Sequence, residues 1–214
     1  MRVHSVCGYP GNSAAWANNW EPEHWRARNL VKGVKREPFN GYAEWVRRPG
    51  NTRVRQYSDA AGQRLALQVA GSRLVDLIDA AGITHATIVP VPSSQTIASG
   101  GDFTGARLAA ALQARRPNLI AAPVLHFDQP QPRAHEGVGE RRWHMILPHL
   151  RGGAGLGGRI LLLDDVMTGG GHLRACRRFL AGLGHEVDHA FVVGRTVWDR
   201  PAGMFTIPAE TLAY

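Results

Sequence analysis

The run Arg159-Ile160-Leu161-Leu162-Leu163-Asp164-Asp165-Val166-Met167-Thr168-Gly169-Gly170-Gly171-His172-Leu173 constrains this chain more than any other part of it. Ile160 to Leu163 are consecutive apolar residues, the mark of a buried strand, and Asp164 and Asp165 stand at its C-terminal end. The glycine turn leads into Leu173, Cys176, Leu180 and Leu183, whose three- and four-residue spacing is helical. The order is strand, acidic pair, anion-binding turn, helix. In an open α/β sheet ligands bind beyond the carboxyl ends of strands, and the free N–H groups and dipole of a helix start attract phosphate. Paired carboxylates beside such a cradle suit a sugar phosphate, because they accept hydrogen bonds from vicinal hydroxyls and a hard divalent cation can sit nearby.

The rest of the chain alternates strand and helix signals. A helix is predicted from Ala60 to Ala81, with Leu67, Ala70, Leu74 and Ile78 on one face, and a buried strand from Ala86 to Val91. Asp102 to Arg116 reads as a second helix and Leu119 to Leu125 as a second strand. His126 to Arg142 is polar, broken by prolines and glycines, and long enough to suggest a mobile functional loop. Trp143 to Leu147 reads as a short strand, and Val187 to Val193 as the strand after the last helix. The expected fold is α/β, a mostly parallel sheet flanked by helices. Residues 1–58 read as an irregular cap, interrupted at Pro10, Gly11, Pro22, Pro38, Gly41, Pro49 and Gly50, with residues 59–214 as the core.

Composition agrees with one such unit: 214 residues, 44% hydrophobic and 20% charged. No apolar run approaches the roughly 20 residues of a membrane span, and Met1-Arg2-Val3-His4-Ser5 lacks the apolar region of a secretory signal. A soluble, cytoplasmic protein is expected. Cys7 and Cys176 are the only cysteines, which excludes a disulfide framework or a cysteine zinc site. The formal charge of +8 is nearly all arginine, since Lys32 and Lys35 are the only lysines. Arginine suits bidentate phosphate recognition, so the charge fits a phosphorylated small ligand and a nucleic-acid face equally well.

Ile160 to Leu173 resembles the phosphoribosyl pyrophosphate (PRPP) motif of type I phosphoribosyltransferases, in which a hydrophobic strand leads to two acids and a Thr/Gly-rich loop. The resemblance implies a phosphoribosyltransferase fold with a small N-terminal hood. By position it assigns the ribose hydroxyls to Asp164 and Asp165, and the 5′-phosphate to Met167, Thr168, Gly169, Gly170, Gly171 and His172. The family's loop reads roughly Thr-Thr-Gly-X-Thr, so Thr168-Gly169-Gly170-Gly171-His172 lacks two of its hydroxyls.

The alternation of strands and helices along the chain extends the resemblance to about Leu65 through Thr196. It implies a pyrophosphate loop at Pro92-Ser93-Ser94-Gln95, with Ser93 and Ser94 as ligands, and a lid at His126 to Arg142. On that lid Arg133, Arg141 and Arg142 are candidates for the leaving group, with Arg141 and Arg142 taken as catalytic beside the two acids. Arg195 falls near the acceptor base. Val89-Pro90-Val91-Pro92, with Gly100-Gly101-Asp102-Phe103 leading to Arg107-Leu108-Ala109, is similar to the ComF-type branch, as is the lysine-bearing segment Asn29 to Lys35. The zinc ribbon common in that branch is missing. The implied cofactor is Mg2+, carried by PRPP with Asp164 and Asp165 nearby.

Two further patterns fail on physical grounds. Gly153, Gly155 and Gly158 spell a dinucleotide fingerprint but precede a strand, whereas that fingerprint must follow a strand and open a helix. His185-Glu186-Val187-Asp188-His189 matches the zinc-protease pattern, which requires a helix. In a strand the two histidine backbones stand roughly 13 Å apart, too far for ligands at about 2.1 Å from one metal.

Trp16, Trp20, Trp25 and Trp45 share the front segment with Arg26, Arg28, Lys32, Lys35, Arg36, Arg47 and Arg48. They pack that segment onto the core, form the hood, or stack single-stranded bases. The expected function is phosphoribosyl transfer from PRPP to a nitrogenous acceptor with release of pyrophosphate. The alternative is a non-catalytic relative that binds a nucleotide or single-stranded nucleic acid in regulation or DNA handling. A homodimer is compatible with either.

Overall fold

The computed structural model describes residues 1–11, 20–47, 50–131 and 143–213. The chain runs β1 (Arg2–Pro10), α1 (Pro22–Lys35), β2 (Ala43–Arg47), β3 (Thr52–Gln56), α2 (Ala60–Ala80), β4 (Ala86–Pro90), α3 (Thr104–Arg115) and β5 (Leu119–Ala121). It continues through β6 (Leu125–Phe127), α4 (Trp143–Ile146), a 3-10 turn, β7 (Leu150–Gly152), β8 (Ile160–Met167), α5 (Gly171–Gly182), β9 (His189–Val197) and β10 (Glu210–Thr211). The architecture is α/β. Six strands form the central sheet in the order β10-β1-β9-β8-β4-β5, parallel throughout except for β10.

Alternation along β8 and β9 divides the core into two. Leu161, Leu163, Phe191 and Val193 bury against Leu30 and Val34 of α1, Leu74 and Ile78 of α2, and Leu108 and Leu112 of α3. Ile160, Leu162, Ala190 and Val192 point the other way, onto Leu173, Cys176 and Leu180 of α5 and onto Leu125, Phe127 and Leu150. A strand covered on both faces has to be apolar at every position, which is why Ile160 to Leu163 shows no polar alternation. Each fully buried side chain of this size contributes about 1.5–3 kcal/mol. The α2 start is capped by Asp59, whose carboxylate accepts the Gly62 N–H at 2.6 Å.

Several elements depart from the sequence expectation. Residues 2–10 are a strand of the main sheet, running parallel to β9. The polar His4 and Ser5 interrupt the apolar pattern there, and Pro10 occupies the last strand position, where its missing N–H does little harm. The front segment also holds α1 and the antiparallel β2–β3 ribbon, so it is regular where breakers suggested irregularity. The expected strand 119–125 divides near Pro123. β5 stays on the sheet edge, and β6 leaves to pair with β7 in a separate antiparallel ribbon.

Trp143 to Leu147 is a helical turn rather than a strand. Ile146 is buried and Met145 exposed, and the 3-10 turn at Leu147–His149, with its early Pro148, continues the helical backbone. β8 extends through both acids to Met167, and β9 runs on to Val197. Among the described residues no helix is long and apolar enough to cross a membrane.

Candidate functional site

The connection from β4 through α3 leads to β5 on one side, whereas the connection from β8 through α5 leads to β9 on the other. β4 and β8 are adjacent and in register, Pro90 beside Leu163, with the Val91 N–H donating to the Leu163 carbonyl at 2.8 Å. The strand order therefore reverses between them. Beyond such a reversal the two following loops diverge and leave a crevice at the carboxyl ends. Asp164 and Asp165 stand there, with the Ser93 loop on the neighbouring strand.

The Asp164 carboxylate accepts the Asp165 N–H at 2.8 Å, and Asp165 accepts the Val166 N–H at 2.6 Å. Both side chains keep a partly open face while protein surrounds them closely on the others. Burial pushes the Asp164 carboxyl well above the usual carboxylate range, and the charge of Asp165 adds to the push. Burial raises Asp165 too, opposed by the ammonium of Lys35. A half-buried acidic pair with raised pKa values at the carboxyl end of a strand is the kind of arrangement that functional sites maintain. Among the described residues no cluster of three or more His, Cys, Asp or Glu can hold a metal.

The glycine turn opens α5 with Gly170 in the left-handed region at φ +71°, and no side chain caps the helix start. Its first-turn N–H groups therefore face the loop without a side-chain acceptor. The Thr168 hydroxyl meets that of Thr196 at 3.0 Å. Met167 is buried in the core, so toward a ligand it offers backbone alone. His172 lies edge-on to Phe127.

The Ser93 hydroxyl is 2.8 Å from the hydroxyl of Thr96, a buried residue that sequence reasoning missed. The Ser94 carbonyl accepts the Gln131 N–H at 2.7 Å, so this loop is tied to the segment after β6. Arg195 stands level with Met167 on the adjoining strand, and its guanidinium donates to the Pro208 carbonyl at 3.0 Å and pairs with Glu210 at 3.2 Å. Trp16, Arg48, Arg133, Arg141 and Arg142 lie outside the described residues.

The structure adds a second wall. Gly194 on β9 has no side chain where α1 crosses: a Cβ there would lie 2.9 Å from Val31 and 3.2 Å from Tyr9. Close approach brings the end of α1 over the acids. Lys35 pairs with Glu37 at 2.6 Å; burial opposes its charge, but the Glu37 hydrogen bond and the Asp165 charge prevail and raise its pKa. Tyr9 is raised chiefly by burial, with Glu37 adding to it. The one sequence signal for this contact is a glycine inside an apolar strand, which marks close backbone approach.

Of the front-segment tryptophans, Trp45 is buried and donates its indole N–H to Gln56 at 2.9 Å. Trp25 is 43% exposed, beside Trp20 and under Arg28, whose guanidinium carbon is 5.6 Å from the ring centre. A cleft of about 770 Å³ between α1 and the β2–β3 ribbon is lined by Trp25, Asn29, Tyr42, Val46 and Arg53 among others. Gly153 to Gly158 form the connector before β8, and His185 to Asp188 are non-helical, as the rejection of both motifs requires. Cys7 and Cys176 are free thiols; burial pushes Cys7 up to about 12 and raises Cys176 as well.

No protein-family model matches the chain, and no curated relative matches it. Solved structures similar to it include the orotate phosphoribosyltransferase from Aeropyrum pernix, 18% identical over 79% of this chain and 80% of that one, TM-score 0.43. An adenine phosphoribosyltransferase from Thermoanaerobacter pseudethanolicus is 14% identical over 72% of this chain and 95% of that one, TM-score 0.41. The adenine phosphoribosyltransferase from Leishmania tarentolae is 14% identical over 82% and 89%, TM-score 0.38.

Proposed function

We propose that this chain binds PRPP and transfers its phosphoribosyl group to a nitrogenous acceptor, releasing pyrophosphate. The observation that carries the reading is the pair Asp164 and Asp165 at the strand-order reversal, followed within a few residues by the uncapped start of α5. Carboxylates take the 2′ and 3′ hydroxyls, and the amides of Thr168 to His172 take the 5′-phosphate. Ser93 and Ser94 then face the pyrophosphate. α1 and the β2–β3 ribbon act as the hood, with Tyr9 and Lys35 on the acceptor side.

In the reaction the acceptor nitrogen forms a bond to C1 as the bond from C1 to the pyrophosphate oxygen breaks, the electron pair leaving with pyrophosphate and the acceptor losing a proton. Fixing both hydroxyls and the phosphate orients C1 between acceptor and leaving group, and positioning of this kind is a major part of the rate. A carboxylate pair near the developing positive charge at C1 also favours the transition state. Two carboxylates suit Mg2+ held mainly by ligand oxygens; Asp164 and Asp165 would be the protein groups to hold it, and the ion would offset charge on pyrophosphate.

Calorimetric titration with ribose 5-phosphate and with PRPP plus Mg2+ tests the reading. Asp165→Asn should weaken both by at least about tenfold, ~1.4 kcal/mol, in a protein that remains folded. Equal affinity in the folded variant removes the proposal. The exposed Trp25 and Tyr42, with Arg28 and Arg55 over their rings, favour a second reading as a single-strand binder. Salt-sensitive binding of a labelled oligonucleotide without any PRPP binding would select it.

A further inference from the structure

The glycine loop carries a physical difficulty. Gly169, Gly170 and Gly171 have no side chains to restrain them, and a peptide between two glycines turns over at little steric cost. In a trans peptide the C=O and the following N–H point in opposite directions. Turning over the Gly169–Gly170 peptide would replace an N–H facing the loop with a carbonyl, and a carbonyl repels phosphate.

We propose that Arg174, together with the C-terminal segment 208–213, is the brace that holds this loop in its anion-binding form, which makes Arg174 a positioning residue. The inference rests on the reading of the loop as a 5′-phosphate site. Arg174 Nη1 donates to the Gly169 carbonyl at 2.7 Å, and its Nε donates to the Ala213 carbonyl at 3.2 Å. With the Gly169 oxygen engaged on that side, the Gly170 N–H is presented on the other. The planar fork of a guanidinium bridges two such acceptors, which an ammonium cannot do with the same geometry.

The segment is itself anchored. Leu212 is 3% exposed, and its Cδ1 lies 2.8 Å from where a Cβ on Gly170 would be. Any side chain at 170 would meet Leu212 in addition to the cost of φ +71°. The Leu212 N–H donates to the Met1 carbonyl at 2.9 Å, and β10 pairs with β1 at Arg2 and Val3. At the segment's other end Arg195 holds the Pro208 carbonyl and Glu210. Arg195 therefore ties this segment to β9. Residues 208–213 thus hold in place a loop about 40 positions earlier.

The test titrates wild type, Arg174→Met and Arg174→Lys with ribose 5-phosphate and, separately, with Mg2+ pyrophosphate, which would engage the Ser93 loop instead. Arg174→Met should weaken ribose 5-phosphate by about tenfold or more, the scale of a charge-assisted hydrogen bond, while pyrophosphate affinity stays within about twofold of wild type. Arg174→Lys, which keeps the charge but not the planar fork, should recover part of the loss and remains informative if the Met variant does not fold. Unchanged ribose 5-phosphate affinity in Arg174→Met, or equal loss for both ligands, overturns the brace. If wild type binds ribose 5-phosphate and Asp165→Asn weakens it while Arg174→Met does not, the brace alone fails. No binding of ribose 5-phosphate or PRPP to wild type overturns the brace and the site reading together.

Discussion

The Phe127 ring meets the His172 imidazole edge-on, with centroids 6.3 Å apart and planes at 71°. Phe127 also donates its backbone N–H to the Thr96 carbonyl at 2.8 Å. One residue of β6 therefore touches both the glycine loop and the Ser93 loop. Under the proposed function these would hold the two phosphate ends of one ligand, with the ribbon as a common strut between them.

His172 takes the place of a hydroxyl in the resembled loop. A phosphate beside the imidazole favours its protonated form, so loss of that proton is expected to lower ribose 5-phosphate affinity as pH rises from about 6 to about 8, against the gain that phosphate's own ionisation near ~6 would bring. His172→Thr should flatten that dependence and keep or improve affinity. Titrations of the two proteins across this range decide it; identical profiles would remove His172 as a phosphate ligand.

Asp164 should cost the unliganded protein stability. Its unfolded carboxyl ionises near ~4, whereas burial and Asp165 hold the folded carboxyl protonated to higher pH. As pH rises past the unfolded value the folded state retains a proton that the unfolded state has lost, so stability falls until the raised folded pKa is passed. Asp164→Asn removes this effect. Its Tm at neutral pH is expected to rise above wild type, while ribose 5-phosphate binding weakens. A Tm below wild type would contradict the assignment.

The opposite end of the sheet should set part of the acid limit. His4 Nε2 lies 3.0 Å from His189 Nδ1, and the His4 ring stacks on Phe191 at 4.8 Å. Burial first, then His189 and Arg2, push His4 down to about 4. The unfolded imidazole takes its proton near ~6.5, so stability drops as pH falls from there through about 4. His4→Phe keeps an aromatic ring in the stack and removes one titration, and its Tm should decline less steeply over this window. His189 is lowered as well, so the flattening is partial. Equal slopes would show that His4 does not drive the acid limb.

Gly194→Ala tests the seat of α1. The added methyl would stand 2.9 Å from the Val31 side chain and 3.2 Å from that of Tyr9, so Val31 or the helix that carries it has to give. A loss of about 1–3 kcal/mol by urea unfolding is expected, the usual cost of overpacking. A neutral result would mean that α1 lifts without strain.

Residues 160–173 were legible because every part of that motif is local. Apolar strand, acids, glycines and helix follow one another in the chain, and two-sided burial requires an uninterrupted apolar run. The α2 helix, the strand at Ala86 and the parallel sheet were readable for the same reason, since periodicity records which face of a segment is buried. The acids themselves carry no sign of Lys35 above them. That contact depends on Gly194 admitting α1, which involves residues about 160 positions apart.

β1 was hidden because a nine-residue stretch interrupted by His4 and Ser5 becomes a strand only through β9 and β10, which lie some 190 to 210 residues away. Trp143 to Leu147 was misread because five residues of mixed polarity fit either period, and packing against α5 favours the helical turn. The ion pair of Arg195 with Glu210 and the hold of Arg174 on Ala213 were likewise decided in three dimensions. A guanidinium reaches whichever carbonyl or carboxylate the fold delivers, and local sequence records nothing of which one that will be.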